Sequence, residues 1–420
     1  MFTVPPLAGH VNPTVAVGAE LASRGHEVAW CGPAGALARL LPAHARILPA
    51  GEEAGGAYEA LHARWRDLRG VGALRFLWEE ALVPLARAMT PGVTDAVRAF
   101  APDLVVADQQ ALAGPLVARR LGIPWATSAT TSAELTRPFA DFPKVGEWVE
   151  GQIAGLLAAY GEDASGWDPR FSERLVLVFS TPELVGAADR FPAHYAFVGP
   201  AFGARPAAPV FPWHRLDPGR RRVLVSLGTL NQEAGDRFYG AVLEAAGQLG
   251  RDVQLVLVAP AALIGAVPAN VLVRDGVPQL ELLPHLDAVV CHGGHNTVCE
   301  ALAHGLPLVV APIRDDQPIV ARQVVEAGAG VRVRFGRPRA EELRDALTAV
   351  LDDPGPRRAA RRSQAAIAAG GGAPPPAARG GMVGLNNPPS TGGRAARRTP
   401  PTCAAAGGPA PPPDRLEKLL

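Results

Sequence analysis

Short apolar runs alternate with longer stretches of helical period along most of the chain. In the first half the runs fall at residues 2–4, 27–30, 102–108, 123–126 and 174–179, and in the second at 223–225, 254–258, 271–273 and 287–290. Between them the apolar positions recur with helical spacing over residues 15–21, 53–100, 111–121 and 236–248, with a shorter helix near 280–283. Strands separated by helices pair in parallel, because a parallel neighbour needs a crossover that a helix supplies. The pattern starts twice. Residues 201–222 are rich in Pro, Gly and Arg and lack a sustained apolar period, so they read as a linker. The expectation is an α/β chain of two Rossmann-like, doubly wound domains, residues 1–200 and 223–362.

Several local features refine that outline. The first strand begins almost at Met1, so either it is unusually short or the true start lies upstream. Asn12 followed by Pro13 looks like the cap and first residue of a helix, which leaves His10 in the preceding loop. Residues 128–148 read as polar, aromatic and loop-rich. Between Asp353 and Asp414 there is no acidic residue, and no aromatic follows Phe335. Such a Gly, Pro, Ala and Arg tract buries too little apolar surface to offset the entropy of ordering, so residues 363–413 are expected to be disordered, with a short terminal helix over 414–420. A frame disturbance or insertion would explain the tract, as would a native flexible tail. Loss of a closing helix there would impair activity.

Composition narrows the classes. At 420 residues and 48% hydrophobic content the chain supports two buried cores. A net charge of +1 points to neither nucleic acid nor a polybasic membrane surface. Cys31, Cys291, Cys299 and Cys403 have no metal-ligand or disulfide-framework spacing, which fits free thiols in a reducing compartment. No run reaches the roughly 18 apolar residues of a membrane helix, so a cytoplasmic protein without an integral membrane segment is expected.

The richest chemistry lies between Cys291 and Gln317. An apolar strand breaks at Gly293-Gly294 and opens a helix, which aims free backbone N–H groups and a positive helix end at one point. An anion, most naturally a phosphate, suits that point. Glu300 lies near the same end, within reach of ribose hydroxyls, and Asp316-Gln317 follow the next strand at a crevice edge. Taken singly these features are ordinary: Thr297 to Glu300 is also a capping box, with Asn296-Thr297 able to cap, and Gly-Gly before a helix is common.

The ordered set His292-Gly293-Gly294, Thr297, Glu300, Gly305-x-Pro307, Pro312 and Asp316-Gln317 resembles the donor signature of the inverting natural-product glycosyltransferases of GT-B fold. These include the UDP-glycosyltransferase and macrolide-glycosyltransferase-like enzymes. The resemblance implies two lobes facing across a cleft and a UDP- or dTDP-sugar donor. It implies His10 as catalytic base and Asp108 as the acid that orients it. It further implies a diphosphate-side loop at Ser226, Gly228 and Thr229. His292 and the N–H groups at Gly294, Asn296 and Thr297 would hold the diphosphate, Glu300 the ribose, and Asp316 with Gln317 the sugar.

Two departures stand out. Gly276 occupies a position where the family often has a base-stacking tryptophan, leaving base recognition to the Val277–Gln279 region and Arg274, and His295-Asn296 replaces commoner pairs. No Asp-x-Asp motif stands where a metal-dependent transferase would need one, so no metal and no cofactor are expected. Trp65, Phe76, Trp78, Phe139, Phe142 and Trp148 are core candidates first, and if some line the cleft they favour a large hydrophobic acceptor. Two other classes compete: a catalytically impaired nucleotide-sugar or aglycone-binding relative, and a nicotinamide-dependent dehydrogenase. The latter lacks its Gly-x-Gly-x-x-Gly turn, since residues 7–12 hold one glycine.

Overall fold

Two parallel sheets carry the chain. In the computed structural model, which describes residues 1–52, 64–65, 68, 70–136, 139, 142–186, 191–203, 209–228 and 235–370, the first sheet holds β1 (Phe2–Thr3), β2 (Ala29–Gly32), β3 (Arg46–Pro49), β4 (Val105–Asp108), β5 (Trp125–Ala129), β6 (Val176–Val178) and β7 (Tyr195–Phe197). Its order is β3-β2-β1-β4-β5-β6-β7. The second holds β8 (Arg221–Ser226), β9 (Val253–Val258), β10 (Val271–Arg274), β11 (Ala288–Cys291), β12 (Leu308–Val310) and β13 (Gly330–Arg332), in the order β10-β9-β8-β11-β12-β13. Every pairing is parallel. The central strands are covered on both faces and are therefore apolar throughout, as in the fully buried Ala288–Cys291.

Strand order reverses between β1 and β4 in one sheet and between β8 and β11 in the other. At such a switch point the loops leaving neighbouring strands part and open a crevice. The C-terminal ends of these strands and the turns that leave them present His10, Asp108, Ser226 and His292, so topology alone gathers the candidate residues.

Several expectations are corrected. The first helix runs Ala8–Ser23 with Leu7 as its extended N-cap, so Asn12 does not cap it and His10 sits in its first turn rather than in a loop. Pro13 lies inside that helix. Lacking an N–H, it leaves the Gly9 carbonyl one turn back without its helical donor, and Asn296 Nδ2 donates to that carbonyl at 2.9 Å from the second lobe. The helical reading of residues 53–100 holds over Gly70–Phe100, interrupted by a π-helical turn at Leu77–Leu82. Helix Pro143–Ala158 begins inside the stretch read as loop. The strands β3 and β7 went unread because edge strands of three or four half-exposed residues make no apolar run. The linker ends at residue 220, since β8 starts with the half-buried Arg221 and Arg222.

The largest correction is at the C-terminal side. Helix Pro354–Ala369 continues past residue 363; Asp353 caps it by accepting from the Gly355 N–H at 2.8 Å, and Ala359, Ala360, Ser363 and Ile367 form a buried face. That face joins one apolar cluster with Val298 and Leu302 of the second lobe and Leu184 of the first. The helix thus closes back on the first lobe. Residues 371–413, the terminal helix expected over 414–420, Cys403 and Thr229 lie outside the described residues.

Candidate functional site

Asp108 ends β4 fully buried, and a carboxylate there requires donors. Its Oδ1 accepts from the Gln110 N–H at 2.9 Å and from His10 Nδ1 at 2.9 Å, and its Oδ2 accepts from the Thr130 hydroxyl at 2.7 Å. Thr130 Oγ also lies 2.8 Å from His10 Nδ1. Because the carboxylate only accepts and Thr130 has spent its one hydrogen on it, the network assigns the proton to Nδ1. Nε2 then carries the lone pair. Burial penalises the imidazolium of His10, but Asp108 outweighs that, with smaller help from Asp316 and Glu134, and the group titrates above the ordinary histidine range. Its side chain is 14% exposed, which leaves a path for a proton donor.

Across the gap, His292 follows β11 and is wedged between two glycines. A Cβ on Gly228 would lie 2.6 Å from its Cε1, and one on Gly294 2.5 Å from its Nε2. Gly228 also has φ +71°, a conformation that favours glycine. Burial pushes His292 down to about 4; the Arg314 cation acts the same way, while Asp316 and a backbone bond of Ser226 oppose it in part. The imidazole is therefore neutral. Its buried Nδ1 has no hydrogen-bond partner among the described residues.

Helix His295–Ala303 starts after Gly294, an extended N-cap with no side-chain cap. This overturns Asn296-Thr297 as caps and the capping-box alternative: both residues belong to the first turn, and no side chain caps the end. The positive end therefore keeps its appetite for an anion. Gly293, at φ +89°, packs its backbone against Val310 and Gln317. Glu300, 2% exposed, accepts from Gln279 Nε2 at 2.7 Å, which ties two of the anticipated donor residues together. Val277 packs partly buried against the second lobe's core.

Asp316 stands at the N-cap position of helix Gln317–Glu326. It accepts from the Thr131 hydroxyl at 2.7 Å and acts electrostatically on both His10 and His292, so one carboxylate acts on both imidazoles. Gln317 turns its Oε1 inward to the N–H groups of Ile313 and Arg314, at 2.9 and 3.1 Å, and shapes the loop that presents Asp316. The structure thus gathers His10, Asp108, Gly228, His292, Gly294, Asn296 and Asp316. Thr130, Thr131 and Ser132 went unread; three successive hydroxyl residues directly after β5 were the available signal.

The aromatic candidates mostly serve the core. Trp65 and Phe76 pack tilted with ring centroids 6.1 Å apart, Trp78 is buried in a core cluster against which Phe139 and Trp148 pack, whereas Phe142 is 63% exposed. Cys31, Cys291 and Cys299 are buried free thiols, each pushed up to about 12 by burial, and hence unreactive. Among the described residues no group of three His, Cys, Asp or Glu side chains could hold a metal, and no helix is long and apolar enough to cross a membrane.

Residues 240–377 match the family described as erythromycin biosynthesis protein CIII-like, C-terminal domain. The chain is 31% identical over 386 residues to 4'-demethylrebeccamycin synthase of Lentzea aerocolonigenes, covering 83% of this chain and 90% of that protein. It is also 31% identical over 369 residues to demethyllactenocin mycarosyltransferase of Streptomyces fradiae, covering 84% and 79%. Among solved structures, the calicheamicin glycosyltransferase CalG4 superposes with a TM-score of 0.71 at 25% identity, covering 89% of this chain and 94% of that one.

Proposed function

The chain belongs to the natural-product glycosyltransferases of GT-B fold, and from that premise we propose that it transfers a sugar, with inversion, from a UDP- or dTDP-sugar to a hydroxyl of a hydrophobic natural product. His10 Nε2 takes the proton of the acceptor hydroxyl as its oxygen attacks the anomeric carbon. The bond to the diphosphate oxygen breaks with its electron pair, and the departing diphosphate carries the charge away. Asp108 steadies the imidazolium that forms. The open end of helix His295–Ala303 and the N–H-bearing nitrogen of neutral His292 receive the diphosphate charge. Ser226 and Gly228 border that charge, Glu300 holds the ribose, and Asp316 with Gln317 addresses sugar hydroxyls. A single attack aided by one base inverts the anomeric centre. No metal takes part in this scheme, and the enzyme works in the cytoplasm.

One observation carries the proposal: the free Nε2 of a His10 that is held at Nδ1 by a buried carboxylate. The similarity to a demethylrebeccamycin synthase and to a demethyllactenocin mycarosyltransferase favours a bulky natural-product acceptor. Thermal melting with a panel of nucleotide sugars tests the donor, since a bound donor raises the midpoint by mass action. Transfer with that donor should fall by roughly 10²- to 10⁴-fold in His10→Ala, with the melting shift retained. An unchanged rate would remove His10 as the base.

A further inference from the structure

Thr130, Thr131 and Ser132 are consecutive, and each side chain reaches a different part of the site. Thr130 holds His10 and Asp108, Thr131 bonds Asp316, and Ser132 bonds His295 and Gln323. The last of these contacts joins the two lobes through a buried polar chain. Ser132 Oγ lies 2.6 Å from Gln323 Oε1 and 3.3 Å from His295 Nδ1, and His295 Nε2 lies 3.0 Å from the Phe179 carbonyl oxygen and 3.4 Å from Cys299 Sγ. His295, Ser132 and Gln323 are all buried.

The chain has a direction. Nε2 faces a carbonyl oxygen, which only accepts, so Nε2 carries the proton and Nδ1 accepts from the Ser132 hydroxyl. Gln323 Nε2 has no hydrogen-bond partner among the described residues, and amide orientation is assigned from such networks. Turned over, the amide donates to Ser132 Oγ, and the order becomes Gln323 to Ser132 to His295 to Phe179. Burial lowers the affinity of His295 for a second proton, which keeps Nδ1 an acceptor. An apolar side chain here would fill the same space without fixing any angle. A directional chain sets both the separation and the rotation of the helix it holds.

We propose that His295 is a positioning residue: through Ser132 and Phe179 it pins the helix that receives the diphosphate to the segment that carries Thr130, and so sets the distance from His10 Nε2 to the donor's anomeric carbon. This rests on the reading of His10 as base and of residues 292–297 as the diphosphate site. Misplacement by about 1 Å is enough to cost on the order of 10²-fold in rate, whereas the diphosphate contacts all lie within the second lobe and survive a shift of the lobes.

The test uses the full-length protein with UDP and dTDP as binding probes. Turnover is followed as UDP or dTDP released from UDP-glucose or dTDP-glucose with umbelliferone as acceptor. In His295→Leu and in Ser132→Ala, kcat is expected to fall about tenfold or more while the Kd of the preferred nucleoside diphosphate, by calorimetry, stays within about threefold. The double variant should be no slower than the slower single variant, because both remove the same chain, and Ser132→Thr, which keeps the hydroxyl, should restore most of the rate. Parent-like kcat in folded Ser132→Ala overturns the proposal. So does a loss of rate matched by an equal loss of diphosphate binding or of folded protein. If His295→Leu fails to fold, Ser132→Ala alone decides the matter. His10→Ala run alongside separates the two ideas: full activity there removes the base, whereas an inactive His10→Ala beside a fully active Ser132→Ala removes only the pin.

Discussion

The two lobes offer each other a histidine, and the two are prepared in opposite ways. His10 and His292 are both sequestered, and burial alone would lower both. His10 meets a buried carboxylate at 2.9 Å and titrates high. His292 meets glycine backbone and a nearby Arg314 and falls to about 4. One ring is ready to accept a proton and carry charge; the other stays neutral and fills a shaped slot. The lesson is that the partner, more than the degree of burial, decides what an imidazole does.

The sharpest way to break this contrast is to neutralise the partner of His10. Asp108→Asn keeps the shape but removes the charge that stabilises the imidazolium and selects the Nδ1–H tautomer. The expected loss in kcat is about 10²- to 10⁴-fold. The acid limb of the pH–rate profile should also move to lower pH, because the parent ring titrates above its ordinary value on account of that charge. A parent-like profile in Asp108→Asn would place the base elsewhere.

On the other side the contrast depends on shape. Gly294 has an ordinary backbone, φ −61° and ψ 129°, so alanine fits its conformation, yet the added Cβ would stand 2.5 Å from His292 Nε2. The ring must swing out of its slot. Crowding of this kind costs about 1–3 kcal/mol, so Gly294→Ala should weaken nucleoside diphosphate binding by roughly 5- to 150-fold. At saturating donor kcat should change less than in Asp108→Asn. Unweakened binding by calorimetry would show that the imidazole has no part in holding the donor.

How far this was readable in the chain follows from the same physics. Strands buried on both faces, such as β9 and β11, are continuous apolar runs and announce themselves; β3 and β7 at a sheet edge do not. Gly-Gly after a strand and Asp at a strand end marked both switch points. The start of the first helix was misplaced because Pro13 lies inside it, and the carbonyl it frees is satisfied by Asn296, a residue 283 positions further on from Pro13 that no local pattern reports. Thr130, Thr131 and Ser132 escaped for a related reason: hydroxyl residues have no period, and their partners at Asp108, Asp316 and His295 are distant in sequence. The closing helix looked disordered because its buried face is built from Ala359, Ala360 and Ser363, with Ile367 as its one large apolar residue.

The smallest expected effect separates the two imidazoles by the sign of their contribution to stability. His292 is pushed from 6.5 to about 4 in the folded protein, so between those values the unfolded chain binds the extra proton and the folded one does not. Stability is then flat above about pH 6.5, falls as pH drops towards 4, and levels off below; linkage puts the loss at about 2 kcal/mol by pH 5. His10 runs the other way: its raised value gives stability that is complete below 6.5 and lost as pH rises through the elevated value. Acidification from pH 6.5 to 5 therefore probes His292 and leaves His10 silent. His295, also pushed down, adds to the parent's loss in the same direction, so the informative quantity is the difference between parent and His292→Gln. Urea unfolding of both at pH 6.5 and pH 5 should show the variant losing about 2 kcal/mol less than the parent. Equal losses would mean that His292 takes up its proton at an ordinary value, and the contrast with His10 would vanish.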